Sequence, residues 1–132
     1  MMTMCLRGLA ALVLSLLAVL PASAVDEKDL LPVDQAFALT ASATGRDRIE
    51  LQWKIADGYY LYRHRISVQP DAGFKPRPLQ LPNGDRHTDE FFGEVETYRG
   101  TLAATLPGAA TDGAQQVTLK VKYQGCADAG VC

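Results

Sequence analysis

Basic residues nowhere form a long run in this 132-residue chain, and only three cysteines, two histidines and one tryptophan occur in it. The scarcity of clustered Lys and Arg argues against nucleic acid, whose phosphates need such clusters to displace counterions. No stretch has convincing helical periodicity, and there is no repeat or low-complexity tract. No C-x-x-C pair occurs, and nothing reads as βαβ, so a thioredoxin-type centre with its cysteine at a helix N-terminus is not expected. A metal site is poorly supplied. Two cysteines would need two further ligands, and only His64 and His87 are on offer.

One long apolar run is present, at the start. Arg7 gives a positive n-region, and Leu9 to Leu20 is apolar but for Ser15. Pro21 breaks the run, and Ala22-Ser23-Ala24 has the small-residue form of a cleavage site. At about 12 residues the run is short of the roughly 20 that span a bilayer. Met1–Ala24 is therefore expected to be a secretory signal peptide, and 25–132 one exported domain with no membrane contact of its own. Cys5 leaves with the leader. Losing Arg7 leaves 12 basic against 15 acidic residues, a mild net charge near −3. In an oxidising compartment the two remaining cysteines, Cys126 and Cys132, are the obvious disulfide pair.

The mature chain reads as all-β. Ile49, Leu51, Trp53 and Ile55 alternate with Glu50, Gln52 and Lys54, the pattern of a half-buried strand, with Trp53 in the core. Asp57-Gly58 is a turn, and Tyr59 to Val68 a second strand rich in aromatic and β-branched residues. Val33 to Thr40 alternates, and Ala41 to Asp47 reads as a turn-rich spacer. Pro70 to Pro82 and Pro107 to Gln115 read as loops. Glu94 to Tyr98 and Thr101 to Leu106 read as strands around an Arg99-Gly100 turn, and Val117 to Tyr123 alternates strictly. Short strands at this spacing predict a β-sandwich, the immunoglobulin-like version favoured by size, with a small barrel as the alternative. The chain stops at Cys132, which reads as a missing final strand and predicts an unpaired edge at Val117–Tyr123.

Cys126 and Cys132 stand six positions apart, with Gly125 and Gly130 permitting a tight path. Closing so short a loop removes little unfolded-state entropy, about 2–2.5 kcal/mol. A staple gains more by joining distant segments, so the spacing leans toward redox work while leaving a structural disulfide open. Phe91 and Phe92 are adjacent and cannot both enter one core from a regular strand.

Three segments in order resemble one family. They are Asp57-Gly58-Tyr59-Tyr60-Leu61-Tyr62-Arg63, Asp89-Glu90-Phe91-Phe92-Gly93, and Tyr123 through Cys132. Together they resemble the N-terminal periplasmic domain of the thiol:disulfide interchange protein DsbD, from about Pro32 to the end. The resemblance implies an immunoglobulin-like fold and an electron relay in the periplasm with no cofactor beyond a redox-active disulfide. Reducing power would reach it from a thioredoxin-like domain fed by a membrane domain, and would pass to disulfide isomerases and cytochrome c maturation proteins. By the resemblance Cys132 is the exchanging cysteine and Cys126 closes the internal disulfide. Asp89, Glu90, Phe91, Phe92 and Gly93 match a cap loop in which Phe91 covers the disulfide and swings away, and Tyr60 and Tyr62 match positions beside the site. Phe92 departs from the Tyr of the best-known members. The membrane and thioredoxin-like domains are not in this sequence. Asp89, Glu90 and Asp128 are expected near the cysteines, where like charge disfavours a thiolate, with no nearby base or helix terminus to favour it. Asp128 is otherwise read as a turn residue. Against the relay stands a non-catalytic immunoglobulin-like binding module with a structural disulfide.

Overall fold

A computed structural model describes residues 24–132. The leader expected over Met1–Ala24, with Cys5, lies outside the described residues except for Ala24 itself. Among the described residues no helix is long and apolar enough to cross a membrane.

A helical turn α1 (Val33–Ala36) leads into ten strands: β1 (Phe37–Gly45), β2 (Arg48–Ile55), β3 (Tyr59–Tyr62), β4 (Ser67–Pro70), β5 (Phe74–Pro76), β6 (Asp85–Asp89), β7 (Gly93–Tyr98), β8 (Thr101–Ala110), β9 (Leu119–Lys122) and β10 (Gly125–Ala127). Two four-stranded sheets run β1-β2-β8-β5 and β10-β3-β7-β6, and β4 pairs with β9 in a two-stranded ladder. The pairings are antiparallel.

β2 organises the core. Ile49, Leu51, Trp53 and Ile55 are all buried, and β8 pairs with β2 so that Leu51 stands opposite Ala104 and Trp53 opposite Leu102. Leu61 and Tyr98 from the second sheet, with Phe37 and Phe74, close the layer. Trp53 is wholly buried, and the Tyr123 ring meets it edge-on at 6.0 Å. Apolar burial of this kind stabilises by about 25 cal/mol per Å² removed from water.

Several boundaries differ from the sequence reading, and pairing explains each. The spacer expected at Ala41–Asp47 is strand as far as Gly45, because β1 continues along β2 to a bulge between Ala43 and Gly45. Before it, Val33–Ala36 forms a helical turn rather than an alternating strand, its Pro32 carbonyl accepting from Gln35 and Ala36. The strand expected over Tyr59–Val68 is broken by a 3-10 turn at Arg63–Arg65, and its second half leaves the sheet to pair with β9. The two stretches read as loops, Pro70 to Pro82 and Pro107 to Gln115, carry strand as well. Phe74–Pro76 pairs with Gly108–Ala110 at a sheet edge, where a missing N–H is tolerated, and Phe74 is buried. Leu119–Lys122 lies against β4 on one side, and among the described residues no strand pairs with its other edge.

β3 divides the molecule. Successive side chains on a strand face opposite ways. Leu61 enters the main core, while Tyr60 and Tyr62 turn to the outer face of their sheet and join Val95 and Cys126 in a second, smaller cluster.

Candidate functional site

β10 carries Cys126 to that outer face. It pairs with β3 so that Gly125 stands opposite Leu61 and Cys126 opposite Tyr60. The approach requires glycine: a Cβ on Gly125 would fall 2.3 Å from the Tyr60 carbonyl oxygen and 2.4 Å from the Phe37 ring. The chain then reverses. Gly130 takes φ 97°, a conformation costly for other residues, and the Ala127 N–H donates to the Val131 carbonyl at 2.6 Å. The reversal brings Cys132 back to Cys126, and the two form a disulfide. The Ala127–Val131 bridge sets the two cysteines opposite one another, with their Cα atoms 3.8 Å apart. The halves of the disulfide differ in access. Cys126 is 2% exposed, whereas Cys132 is open to solvent.

Behind Cys126 lies a chain of hydroxyls and a carboxylate. The Tyr62 hydroxyl is 3.4 Å from the Cys126 Sγ and 3.5 Å from the Tyr60 hydroxyl, and it donates to Asp89 Oδ2. Burial, reinforced by the Asp89 carboxylate, pushes the Tyr62 pKa well above its ordinary value, so this hydroxyl keeps its proton. Asp89 ends β6. Its Oδ1 accepts from the N–H groups of Phe92 at 2.6 Å and Phe91 at 3.0 Å. Desolvation works to raise the Asp89 pKa, but donation from Tyr62, Phe92 and Phe91 and the nearby His87 outweigh it and hold the carboxyl below the usual range.

Asp89 pairs with Gly93 across the β6–β7 hairpin, so Glu90, Phe91 and Phe92 form its tip, with Gly93 at φ 76°. Of the two rings, Phe92 is the one tied down. It meets Tyr62 and His64 edge-on, both at 4.9 Å, and the Arg65 guanidinium lies 5.7 Å from its centroid. Phe91 and Phe92 are both exposed, at 48% and 41%, as is Glu90, so the difference between the rings lies in these contacts. The structure thus brings Tyr60, Tyr62, Asp89, Phe92 and the two cysteines together around one face. His64 and His87 are exposed, yet each ring borders this cluster, His87 through the Tyr60 ring at 6.4 Å.

One participant escaped the sequence reading, and it corrects the charge expected of the site. Asp128, inside the cysteine loop, is not an uncompensated acid. Both oxygens accept from Arg99, Oδ1 at 2.7 Å and Oδ2 at 3.0 Å, which holds its carboxyl below the usual range. Arg99 also lies over the Tyr60 ring, 4.9 Å from its centroid. Its turn with Gly100 was legible in the sequence, but nothing local marks a partner 29 residues away.

Comparison with known proteins follows the same lines. The model for the family described as "Thiol:disulfide interchange protein DsbD, N-terminal" matches residues 27–132. The thiol:disulfide interchange protein DsbD 2 of Pseudomonas aeruginosa is 44% identical over 107 residues, 80% of this chain and 17% of that protein. The DsbD of Escherichia coli strain K12 is 48% identical over 101 residues, 76% of this chain and again 17% of the relative. The chain therefore corresponds to a small part of these relatives' length. Among solved structures, the reduced N-terminal domain of Neisseria meningitidis DsbD aligns with a TM-score of 0.72 at 33% identity, covering 82% of this chain and 85% of that one. A second, the complex between the DsbD and PilB N-terminal domains of the same organism, aligns at 0.66 and 33% identity, covering 79% and 80%. The all-β, immunoglobulin-like sandwich expected from the sequence is the fold observed.

Proposed function

The chain belongs to the family of DsbD N-terminal domains, and from that premise we propose that it is a periplasmic thiol–disulfide exchange domain working through a reversible Cys126–Cys132 bond. Electrons would arrive from a thioredoxin-like domain of the same system and leave to disulfide isomerases and cytochrome c maturation proteins. The observation that carries this reading is the unequal exposure of a solvent-facing disulfide, with Cys126 buried and Cys132 open. A solved relative in complex with a second protein's N-terminal domain supports a protein partner. The leader motif at Met1–Ala24 supports export to an oxidising compartment.

Exchange requires a thiolate to attack a disulfide sulfur in line with the bond it breaks. A thiolate from a reduced partner attacks Cys132, forming a mixed disulfide, and Cys126 leaves as thiolate and takes a proton. The partner's second thiolate then attacks its own bridged sulfur, expelling Cys132, which is protonated in turn. Two electrons pass to this domain, and the partner becomes a disulfide. Run backward, the same steps reduce a downstream protein. Tyr62, held protonated 3.4 Å from the Cys126 Sγ, would turn its single O–H from Asp89 to the departing thiolate. Glu90, Phe91, Phe92 and Gly93 act as the cap, with Phe92 as its anchor and Phe91 as the ring a partner displaces. The chemistry needs no metal or organic cofactor.

A thiol-trapping assay tests the reading. The oxidised chain is mixed with a reduced thioredoxin-like domain, quenched with an alkylating agent and weighed. Two added labels are expected, and Cys126→Ala, mixed instead with the oxidised thioredoxin-like domain, should attack that domain's disulfide and form a mixed disulfide through Cys132. A folded chain that takes up no label would make the disulfide a structural staple and the domain a binding module.

A further inference from the structure

Arg99 sits at the tip of the β7–β8 turn, outside the cysteine loop, yet it grips that loop from beside. Its guanidinium meets the Asp128 carboxylate through two hydrogen bonds at 2.7 and 3.0 Å, lies over the Tyr60 ring, and is 3.5 Å from the Tyr59 carbonyl oxygen. Asp128 is the second residue after Cys126, and its own N–H donates to the Gly58 carbonyl at 2.8 Å. The planar two-bond fork fixes direction as well as distance, which a lysine cannot do.

We infer that Arg99 is a positioning residue for the exchange reaction, holding the cysteine loop closed through Asp128 once the disulfide has been opened. The inference rests on the exchange function proposed above. In the oxidised domain the Cys126–Cys132 bond itself fixes the loop, and the ion pair adds little to its shape. Reduction breaks that bond with two electrons and two protons from a partner dithiol, which becomes a disulfide. Cys132 is then tethered by the short bridge from Ala127 to Val131, by the Asp128–Gly58 hydrogen bond and by the Arg99 fork. The fork biases the open loop toward the geometry in which the two sulfurs meet, so it raises the effective concentration of Cys126 at Cys132. Two consequences follow. The disulfide is favoured relative to the dithiol, and a partner bound through Cys132 is released faster by attack from Cys126.

Both side chains of the pair are about half exposed, 49% and 51%, so the effect is modest and screened by salt. The test equilibrates the purified chain and its Arg99→Met, Asp128→Asn and Arg99→Lys variants with glutathione buffers and counts alkylated thiols by mass. Asp128→Asn leaves Arg99 free to stay over Tyr60 and isolates the ion pair. Arg99→Met and Asp128→Asn should lower the oxidation equilibrium constant by about threefold, a potential less negative by ~14 mV for a two-electron couple. Arg99→Lys should recover part of that loss, and the gap between Asp128→Asn and wild type should shrink at high salt. In the Arg99→Met and Asp128→Asn variants a mixed disulfide with glutathione should persist longer before Cys126 expels it. Potentials and mixed-disulfide lifetimes equal to wild type, with a wild type that does exchange, would overturn the role of Arg99 alone. A folded wild type that does not exchange would overturn the exchange function and this role with it.

Discussion

The Tyr62 hydroxyl stands 3.4 Å from the Cys126 Sγ, at the buried end of the disulfide. It also donates to Asp89, so one phenol links the sulfur that must leave to the carboxylate that ties the cap loop. Opening the bond creates negative charge on Cys126, and the Tyr62 proton, turned from Asp89 to the sulfur, would stabilise it. Tyr62→Phe should therefore slow disulfide opening by about tenfold or more at neutral pH, the scale of losing a positioned proton donor. Stopped-flow exchange with a reduced thioredoxin-like domain measures it, and an unchanged rate would remove Tyr62 from the reaction.

Phe92, not Phe91, makes the ring contacts that tether the hairpin tip, through Tyr62, His64 and Arg65. Phe92→Ala should loosen the loop and raise the alkylation rate of the buried Cys126 in the reduced domain by about threefold to tenfold, the range that an aromatic contact worth ~0.5–1.5 kcal/mol allows. The fold, built around β2 and β8 on the other side of β3, should melt unchanged. Alkylation no faster than wild type would mean that Phe92 does not hold the loop over the thiol.

Gly125 stands where no side chain fits, against the Tyr60 carbonyl and the Phe37 ring. Gly125→Ala should push β10 off β3, costing about 1–3 kcal/mol in urea unfolding. It should also displace Cys126 from Tyr62 and slow exchange. Wild-type stability and exchange in this variant would show that β10 can shift without harm to the site.

Four carboxyls are held below their ordinary range: Asp71 by the N–H groups of Gly73 and Thr118, Glu96 by the Gly84 N–H with Arg63 and Arg86, Asp128 by Arg99, and Asp89 by the donors described above, which outweigh its desolvation. Such groups bind protons more readily unfolded than folded. The stability they add is complete above the unfolded carboxyl range of about 4 and is lost as pH falls through their lower folded values. Melting temperature should accordingly stay level on their account from about pH 7 to 5 and drop below about pH 4. Asp89→Asn should make that acid drop shallower. Tyr62 has the opposite sign. Its raised pKa favours the neutral form in the fold, so its contribution fades above about pH 10, where the unfolded phenol ionises. Melts followed by circular dichroism across pH would reveal both limbs, and an acid limb unchanged in Asp89→Asn would deny Asp89 a share in it.

The sequence by itself determined what nearest neighbours encode. Alternation at Ile49, Leu51, Trp53 and Ile55 marks the central strand and its buried face, because strand side chains repeat every two residues. The cysteine spacing and the motifs around it identified the disulfide and the family to which it points. Only the tertiary structure decided how those pieces meet. Leucine and tyrosines alternate along Tyr59–Tyr62, but the sheet pairings send Leu61 to the core and Tyr62 to the sulfur. The breaks at Arg63–Arg65 and the strands inside stretches read as loops follow from which partner supplies the ladder, a matter of pairing rather than propensity. Tyr62 reaches Asp89 across 27 residues and Arg99 reaches Asp128 across 29. No local period records such contacts, since they exist only once the register of β3, β7 and β10 has set those side chains side by side.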